Sequence, residues 1–183
     1  MGDNMIKKFF KHLHTINMHK WYVFKLSIKA GIPIRGLLHD LSKYSPAELF
    51  ESVKYYNGKV SPIKISKEKN GYSKAWLHHK GRNKHHFEYW YDFNCPVKTP
   101  ILPYKYLVEL LCDNIAASMV YSKKNYNPSN NLKYFKNRKD LEYINEDIKK
   151  VIIDVYEQLI KNGLNKTINK KNLKNTYYKY IKK

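Results

Sequence analysis

Leu107-Val108-Glu109-Leu110-Leu111-Cys112-Asp113-Asn114-Ile115-Ala116-Ala117 is the stretch that decides the architecture. It is apolar around nearly the whole circumference of a helical repeat and, with its flanks, too long for a strand. Such a segment is predicted to be the core helix, running from Tyr104 to Tyr121. Two carboxylates interrupt it. A carboxylate alone in that setting is desolvated, and it either takes up a proton or finds a cation. Asp113 is the residue to explain.

The pattern stays helical on both sides of this segment. Residues 5–30 present a broad apolar face with lysines opposite and end at Gly31-Ile32-Pro33. Pro33 begins a second predicted helix that carries Leu37 to Leu41. A third runs from Ser45 to about Tyr56, with Ser45 as its cap and Glu48 at the fourth position of a capping box. Residues 57–70 are polar, contain Gly58 and Pro62, and read as a loop long enough to suggest a lid or substrate contact. Helical pattern returns over 72–91, interrupted at Lys80-Gly81. Pro96, Pro100 and Pro103 then enforce an extended connector. Residues 125–131 are turn-rich, and two last helices cover 139–161 and 168–182, separated at Gly163. No stretch alternates as a strand does. The expected fold is an all-α single domain over 1–183 of about seven helices, with its core over about 10–125 and a C-terminal helical extension over about 139–183.

With 183 residues and 43% hydrophobic content, the chain is globular rather than disordered. No apolar run approaches the roughly 18 residues that span a bilayer. The segment Met1 to Lys8 is followed by no sustained apolar region of the secretory kind, and Cys95 and Cys112 form neither a disulfide scaffold nor a metal-type spacing. A cytoplasmic protein without a membrane partner is expected. The formal charge of +20 comes almost wholly from lysine. It reads first as a solvated coat and second as a patch that steers an anionic ligand. Only Arg35, Arg82 and Arg138 are arginines, and the first two lie beside histidine motifs. The planar guanidinium suits two-point binding of phosphate or carboxylate.

In Gly36-Leu37-Leu38-His39-Asp40-Leu41-Ser42-Lys43, an imidazole and a carboxylate stand side by side after an apolar run. That is costly unless something satisfies both, and a divalent metal would do so. His19 on the first helix and Asp113 on the core helix complete a set of two imidazoles and two carboxylates. Such a set can hold one octahedral divalent ion with positions open for water and substrate. A second concentration lies further along: His78, His79, His85 and His86 are four of the chain's eight histidines. In one continuous helix His78, Arg82 and His85 would share a face, and His79, Asn83 and His86 a neighbouring one. A break at Gly81 is the rival arrangement. Either one gathers imidazoles near Arg82 and Lys84.

The residues His19, His39-Asp40 and Asp113 resemble the ligand pattern of the HD-domain superfamily of metal-dependent phosphohydrolases, which are all-α. The runs Asn17-Met18-His19-Lys20-Trp21, Leu38-His39-Asp40-Leu41-Ser42-Lys43-Tyr44-Ser45-Pro46 and Leu77-His78-His79-Lys80-Gly81-Arg82-Asn83-Lys84-His85-His86 resemble, over almost the whole chain, a widespread bacterial family of unknown function. The HD-domain resemblance implies one carboxylate ligand on the late helix, which ranks Asp113 above Glu109. It implies a lysine at the place of Lys43 that neutralises a phosphate. It also implies that a second ion could be held by one histidine of each adjacent pair, with His79 and His86 as the candidates and Asp40 as the bridge.

The activity so implied is metal-dependent hydrolysis of a nucleotide or another small anionic phosphate ester. His19, His39, Asp40 and Asp113 would hold an ion that acidifies a water, and the hydroxide would attack phosphorus. Lys43, Arg82 and His85 are the expected catalytic residues. His78, Asn83 and Lys84 join Lys43 and Arg82 as expected substrate contacts. One or two ions are expected, from manganese, iron, cobalt, nickel, zinc or magnesium. Two other readings stand beside this one. An HD-like helical fold could hold paired irons for oxygen-dependent oxidation. A non-enzymatic nucleic-acid binder would use the charge and the 15% aromatic content.

Overall fold

The computed structural model describes residues 2–182. Helix α1 (Gly2–Lys29) ends where Gly31 takes a φ of 77°, and Pro33 opens α2 (Pro33–Leu38), where its missing N–H costs nothing. A tight turn over Leu41–Tyr44 leads to α3 (Pro46–Tyr55). Then come α4 (Pro62–Asn70), α5 (Lys74–Lys80), α6 (Tyr104–Ser122), α7 (Ser129–Lys136), α8 (Glu146–Thr167) and α9 (Lys170–Tyr180). Among the described residues there is no strand, and the all-α expectation holds.

Among the described residues nine helices replace the expected seven or so, and the two additions fall where the sequence reads as loop and turn. Over 57–70, Pro62 is not a helix breaker but the first residue of α4, and Gly71, in the left-handed region at φ 79°, closes it. Pro128 likewise precedes α7, which takes over the second half of the turn-rich segment. Helix α8 starts later than expected, at Glu146, because Asn145 caps it by accepting hydrogen bonds from the amides of Asp147 and Ile148. Its axis breaks at Gly163, where φ is 75° and ψ is 174°.

Helix α6 lies along α1, and α2 packs over both; α8 pairs with α9 and carries α7, while α3 packs against α4 and α5. Leu107, Leu111 and Ile115 of α6 are buried with Val23 and Leu26 of α1, Ile148, Ile152 and Leu159 of α8, and Leu173 and Tyr177 of α9. The two C-terminal helices thus share one core with the rest. Fully burying each large aliphatic contributes about 1.5–3 kcal/mol, so this cluster dominates the fold's stability.

One close approach fixes the place of the His39-Asp40 pair. A β-carbon at buried Gly36 would stand 2.4 Å from Cβ of Ser27, nearer than atoms can come. Helix α2 therefore rests directly on α1. Its end delivers His39 and Asp40 to the gap between α1 and α6.

Candidate metal centre

His39 and Asp40 do not lie on a helix, contrary to the expectation from the apolar run before them. Helix α2 stops at Leu38; His39 turns to an extended conformation, and Asp40 takes the left-handed region at φ 51° and ψ 34°. An L-residue there carries a strain of roughly 1–2 kcal/mol, which Asp and Asn tolerate better than most. The reversal turns both side chains inward, where they are 1% exposed.

Three other elements meet them. His19 projects from α1, and Asp113 and Glu109, one turn apart, project from the same face of α6. His79 sits near the end of α5. The chain leaves α5 at Gly81 and returns inward at His85 and His86, so the broken arrangement is the one adopted.

His19 Nε2 is 3.0 Å from Asp113 Oδ1, and His39 Nε2 is 3.1 Å from Asp40 Oδ2 and 3.4 Å from Asp113 Oδ1. The two Nε2 atoms face each other at 3.4 Å. Atoms bonded to one ion at about 2.1 Å stand about 3.0 Å apart at right angles and about 3.4 Å apart in a tetrahedron. These spacings match the edges of such a coordination polyhedron, so the group could hold an ion. Beyond Asp40, its other oxygen, Oδ1, lies 3.4 Å from His79 Nε2 and 3.5 Å from His85 Nε2. His86 completes this second group, whose ligand atoms again lie within 4.8 Å of one another. Asp40 belongs to both groups.

The donor chemistry fits an ion. Asp40 Oδ1, both His85 nitrogens and His86 Nε2 are buried without a hydrogen bond. Unmet buried polar atoms are expensive, and here they converge. Lys43 Nζ, 2.6 Å from Asp40 Oδ2, supplies charge. Burial opposes a charge on Asp40 and on Asp113, but neighbouring His39 and Lys43 at the first, and His19 and His39 at the second, hold both carboxyls well below their usual range. Burial also opposes a charge on His39, yet Asp40, Asp113 and Glu109 outweigh it and raise its pKa well above the usual imidazole value. His19 is pushed down to about 4 by burial and by Lys43, so its ring stays neutral with a lone pair to give.

This pattern fixes the proton count of metal binding. The carboxylates favour the ionised form and His19 the neutral one, while the raised pKa of His39 makes a proton compete with any ion at its Nε2. Because the pKa is raised, proton competition persists through neutrality, and affinity rises with pH, by about tenfold per unit for one proton. Calorimetry at pH 7 in buffers of different ionisation heat is expected to count about one proton released per ion in the His19-His39-Asp40-Asp113 group. A count of zero would show that His39 gives up no proton to the ion.

Behind the ligands stand carboxylates that aim them. Glu109 Oε1 accepts from His39 Nδ1 at 3.1 Å and lies 3.4 Å from His85 Nδ1, while its Oε2 accepts from Arg35 Nε at 2.8 Å. Glu48 accepts from His78 Nδ1 at 2.7 Å and from His79 Nδ1 at 2.8 Å. At His39 and His79, holding Nδ1 in this way leaves Nε2 free to meet an ion. The capping box expected at the start of α3 is therefore not formed: Ser45 makes no side-chain cap, and Glu48 is buried against histidines rather than reaching back over the helix start.

A cavity of about 240 Å³ opens on the centre, lined by His19, Asp113, His79 and His86 among others, with Lys43 and Arg138 as its cationic side chains. Of the expected substrate contacts, Lys43 alone lines it. Arg82 and Lys84 are exposed on the outer turn, with Arg82 Nη1 near the His78 carbonyl and Lys84 over the Tyr89 ring. His78 is held by Glu48. Asn83 ties the turn together through Ser42 Oγ at 2.9 Å and the His79 carbonyl at 2.8 Å. His85 is fully buried and does not line the cavity; its Nε2 faces Asp40 Oδ1 at 3.5 Å. The chain leaves α5 before Arg82 and turns inward after Lys84, which is why both point outward. The arginine the cavity does have, Arg138, lies between α7 and α8, paired with Asp140 and stacked 4.6 Å over Phe87. Nothing in the sequence around it signals that position.

An all-α protein with a buried histidine-carboxylate centre beneath a cavity of mixed charge is the class that fold and site define. The chain belongs to the family of unknown function DUF5662, whose model matches residues 8–158 and so contains every residue of the centre. Comparison with curated proteins and with solved structures returns no match.

Proposed function

We propose that this protein is a metal-dependent phosphohydrolase with a helical fold of the HD-domain type, acting on a phosphate ester. The observation that carries the reading is the double use of Asp40, with Oδ2 toward His39 of one group and Oδ1 toward His79 and His85 of the other. A bound divalent ion supplies Lewis acidity and a water acidified to near neutral pH, the two requirements of phosphoester hydrolysis. The chain's own residues do the rest. Glu109 and Glu48 hold the imidazoles in register. Lys43, kept cationic by Asp40 although burial opposes it, faces the cavity where charge gathers on the phosphoryl oxygens. Arg138 adds a second cation on the far wall. Arg82 is left without a part in the chemistry.

The test is direct. Metal-stripped protein is reloaded in turn with manganese, iron, cobalt, nickel, zinc or magnesium and assayed on a broad panel of phosphate esters. Hydrolysis above the stripped control with at least one ion is expected; inertness with every ion on every ester sinks the reading. The imidazole-rich second group also suits iron. Two irons per chain with oxygen consumed on substrate addition would favour the oxidative chemistry instead.

A further inference from the structure

The metal cavity is small. At about 240 Å³ it lies below the roughly 300–1,000 Å³ of pockets that enclose a whole drug-sized ligand. It has room for a phosphoryl group and what is attached to it directly, so a larger substrate must continue outside. What lies outside is not featureless surface. Thr15, Val120 and Tyr121 line the cavity and also the adjoining groove between α1 and the end of α6. This groove, of about 730 Å³, is open to solvent and lined by Phe10, Lys11, His14, Tyr22, Tyr56 and Lys124 among others. It continues past Tyr121 to Lys59 and Lys123.

Two properties of this path select its occupant. First, no carboxylate among the described residues lines it, although the chain has 15 acidic residues, so its charge is unrelieved where the metal cavity's is mixed. Second, aromatic rings stand among the cations of the lining, and Phe10 is 62% exposed on a helix whose inner face is well packed. A groove of lysines that tracks a phosphate backbone, with rings on which bases stack, is how single strands are held without sequence preference. A free small anion would need the charge but not the rings, and an acidic peptide has no planar bases to stack on them.

We propose that this groove binds single-stranded nucleic acid and leads its terminal phosphate through the Thr15–Val120–Tyr121 mouth to the metal cavity. Binding needs no ion; only delivery to the cavity rests on the hydrolase reading. There the bond between phosphorus and the terminal sugar oxygen breaks. Water gives its oxygen to phosphorus and a proton to the departing sugar oxygen, and inorganic phosphate leaves together with a strand that now ends in a hydroxyl.

The experiment measures fluorescence anisotropy of labelled single strands of two to sixteen nucleotides, with the full chain in chelator, so that binding and chemistry are separated. Affinity is expected to rise with length up to about eight nucleotides and to fall with salt at a log–log slope of about −3, the value for roughly four phosphate contacts on a single strand. The double variant Lys11→Glu/Lys124→Glu is expected to bind at least about tenfold more weakly, and Phe10→Ala about tenfold. Lys171→Glu/Lys174→Glu, exposed on α9 and outside the groove, makes the same charge change as a control and is expected to lose less than about threefold. All three alter exposed side chains, and a circular-dichroism melt confirms folding. Equal loss from groove and control variants overturns the proposal, since diffuse charge then suffices. So does tighter binding of duplex, equal binding of polyglutamate, or no gain with length. Strand binding without hydrolysis in any metal would strike only at the hydrolase reading. Hydrolysis of mononucleotides with no strand binding would strike only at the groove.

Discussion

The Asp40→Asn variant is expected to fold and to bind no divalent ion in either ligand group. Asparagine keeps the shape of the side chain and is among the few residues that accept the left-handed backbone seen at position 40. What it removes is charge. In the wild type each oxygen of this carboxylate faces a different set of imidazoles, so one substitution withdraws an anionic ligand from both. Altering a residue that merely supports a ligand costs about 10–100-fold in metal affinity, and losing a shared anionic ligand is expected to exceed that. Metal analysis after dialysis against buffered metal is expected to fall from one or two ions per chain to below about 0.1, with hydrolysis lost in parallel. The melt in chelator separates this from misfolding: the variant melts cooperatively there and gains nothing when metal is returned, whereas the wild type is stabilised. Full metal content in folded Asp40→Asn would refute the shared-ligand arrangement.

Glu109→Ala is expected to cost about 3–5 kcal/mol of stability by urea denaturation, as for a buried ion pair broken on one side. The carboxylate is 1% exposed and serves Arg35, His39 and His85 together. Arg35 can turn to solvent, since its side chain is one-third exposed and rests over Tyr106, but His39 cannot. Glu109→Gln fills the same space and keeps one acceptor, so its cost is expected to be nearer 1–2 kcal/mol, with metal affinity down about 10–100-fold. The pH dependence gives an independent check. Burial would raise the pKa of Glu109, but the hydrogen bond from His39 and the nearby His85 ring outweigh it and lower it from an ordinary 4.5 to about 2. A depressed folded-state pKa contributes stability that is present above pH 4.5 and disappears as pH falls toward 2. Wild type should lose stability more steeply than Glu109→Gln across that window. Equal and small losses from Ala and Gln would mean that the carboxylate is incidental.

The core helix and the first helix were legible because their apolar residues run on without strand alternation, and length alone then decides for helix. The residue types of the centre were legible too. His19, His39, Asp40 and Asp113 are polar groups set in apolar sequence, and their convergence within 4.8 Å follows from α1 lying along α6. The backbone at the centre was not legible, because an apolar run before His39 gives no sign that the helix stops at Leu38 to place Asp40 in a left-handed turn. Glu48 was misread for a related reason: serine and glutamate at that spacing are the local signature of a cap, and only the distant His78 and His79 claim the carboxylate instead. Glu109 could have been found by asking what balances a second acid one turn from the first. Arg138 and the outward turn of Arg82 and Lys84 are settled by which helices pack together, and local sequence says nothing about that. Helices α4 and α7 were hidden by prolines at their starts, where proline favours a helix rather than breaking one.

The turn at residue 40 sets two independent conditions on a single codon. Its backbone admits glycine, asparagine and aspartate with little penalty. Its place between two sets of imidazoles admits aspartate and glutamate. Only aspartate satisfies both, so no neighbouring amino acid offers a partial substitute. Glutamate would keep the charge but unbend the chain, and glycine would keep the bend but leave both sets of imidazoles facing an empty space. The shortest acidic side chain is required here as much for the path of the main chain as for the ions it would share.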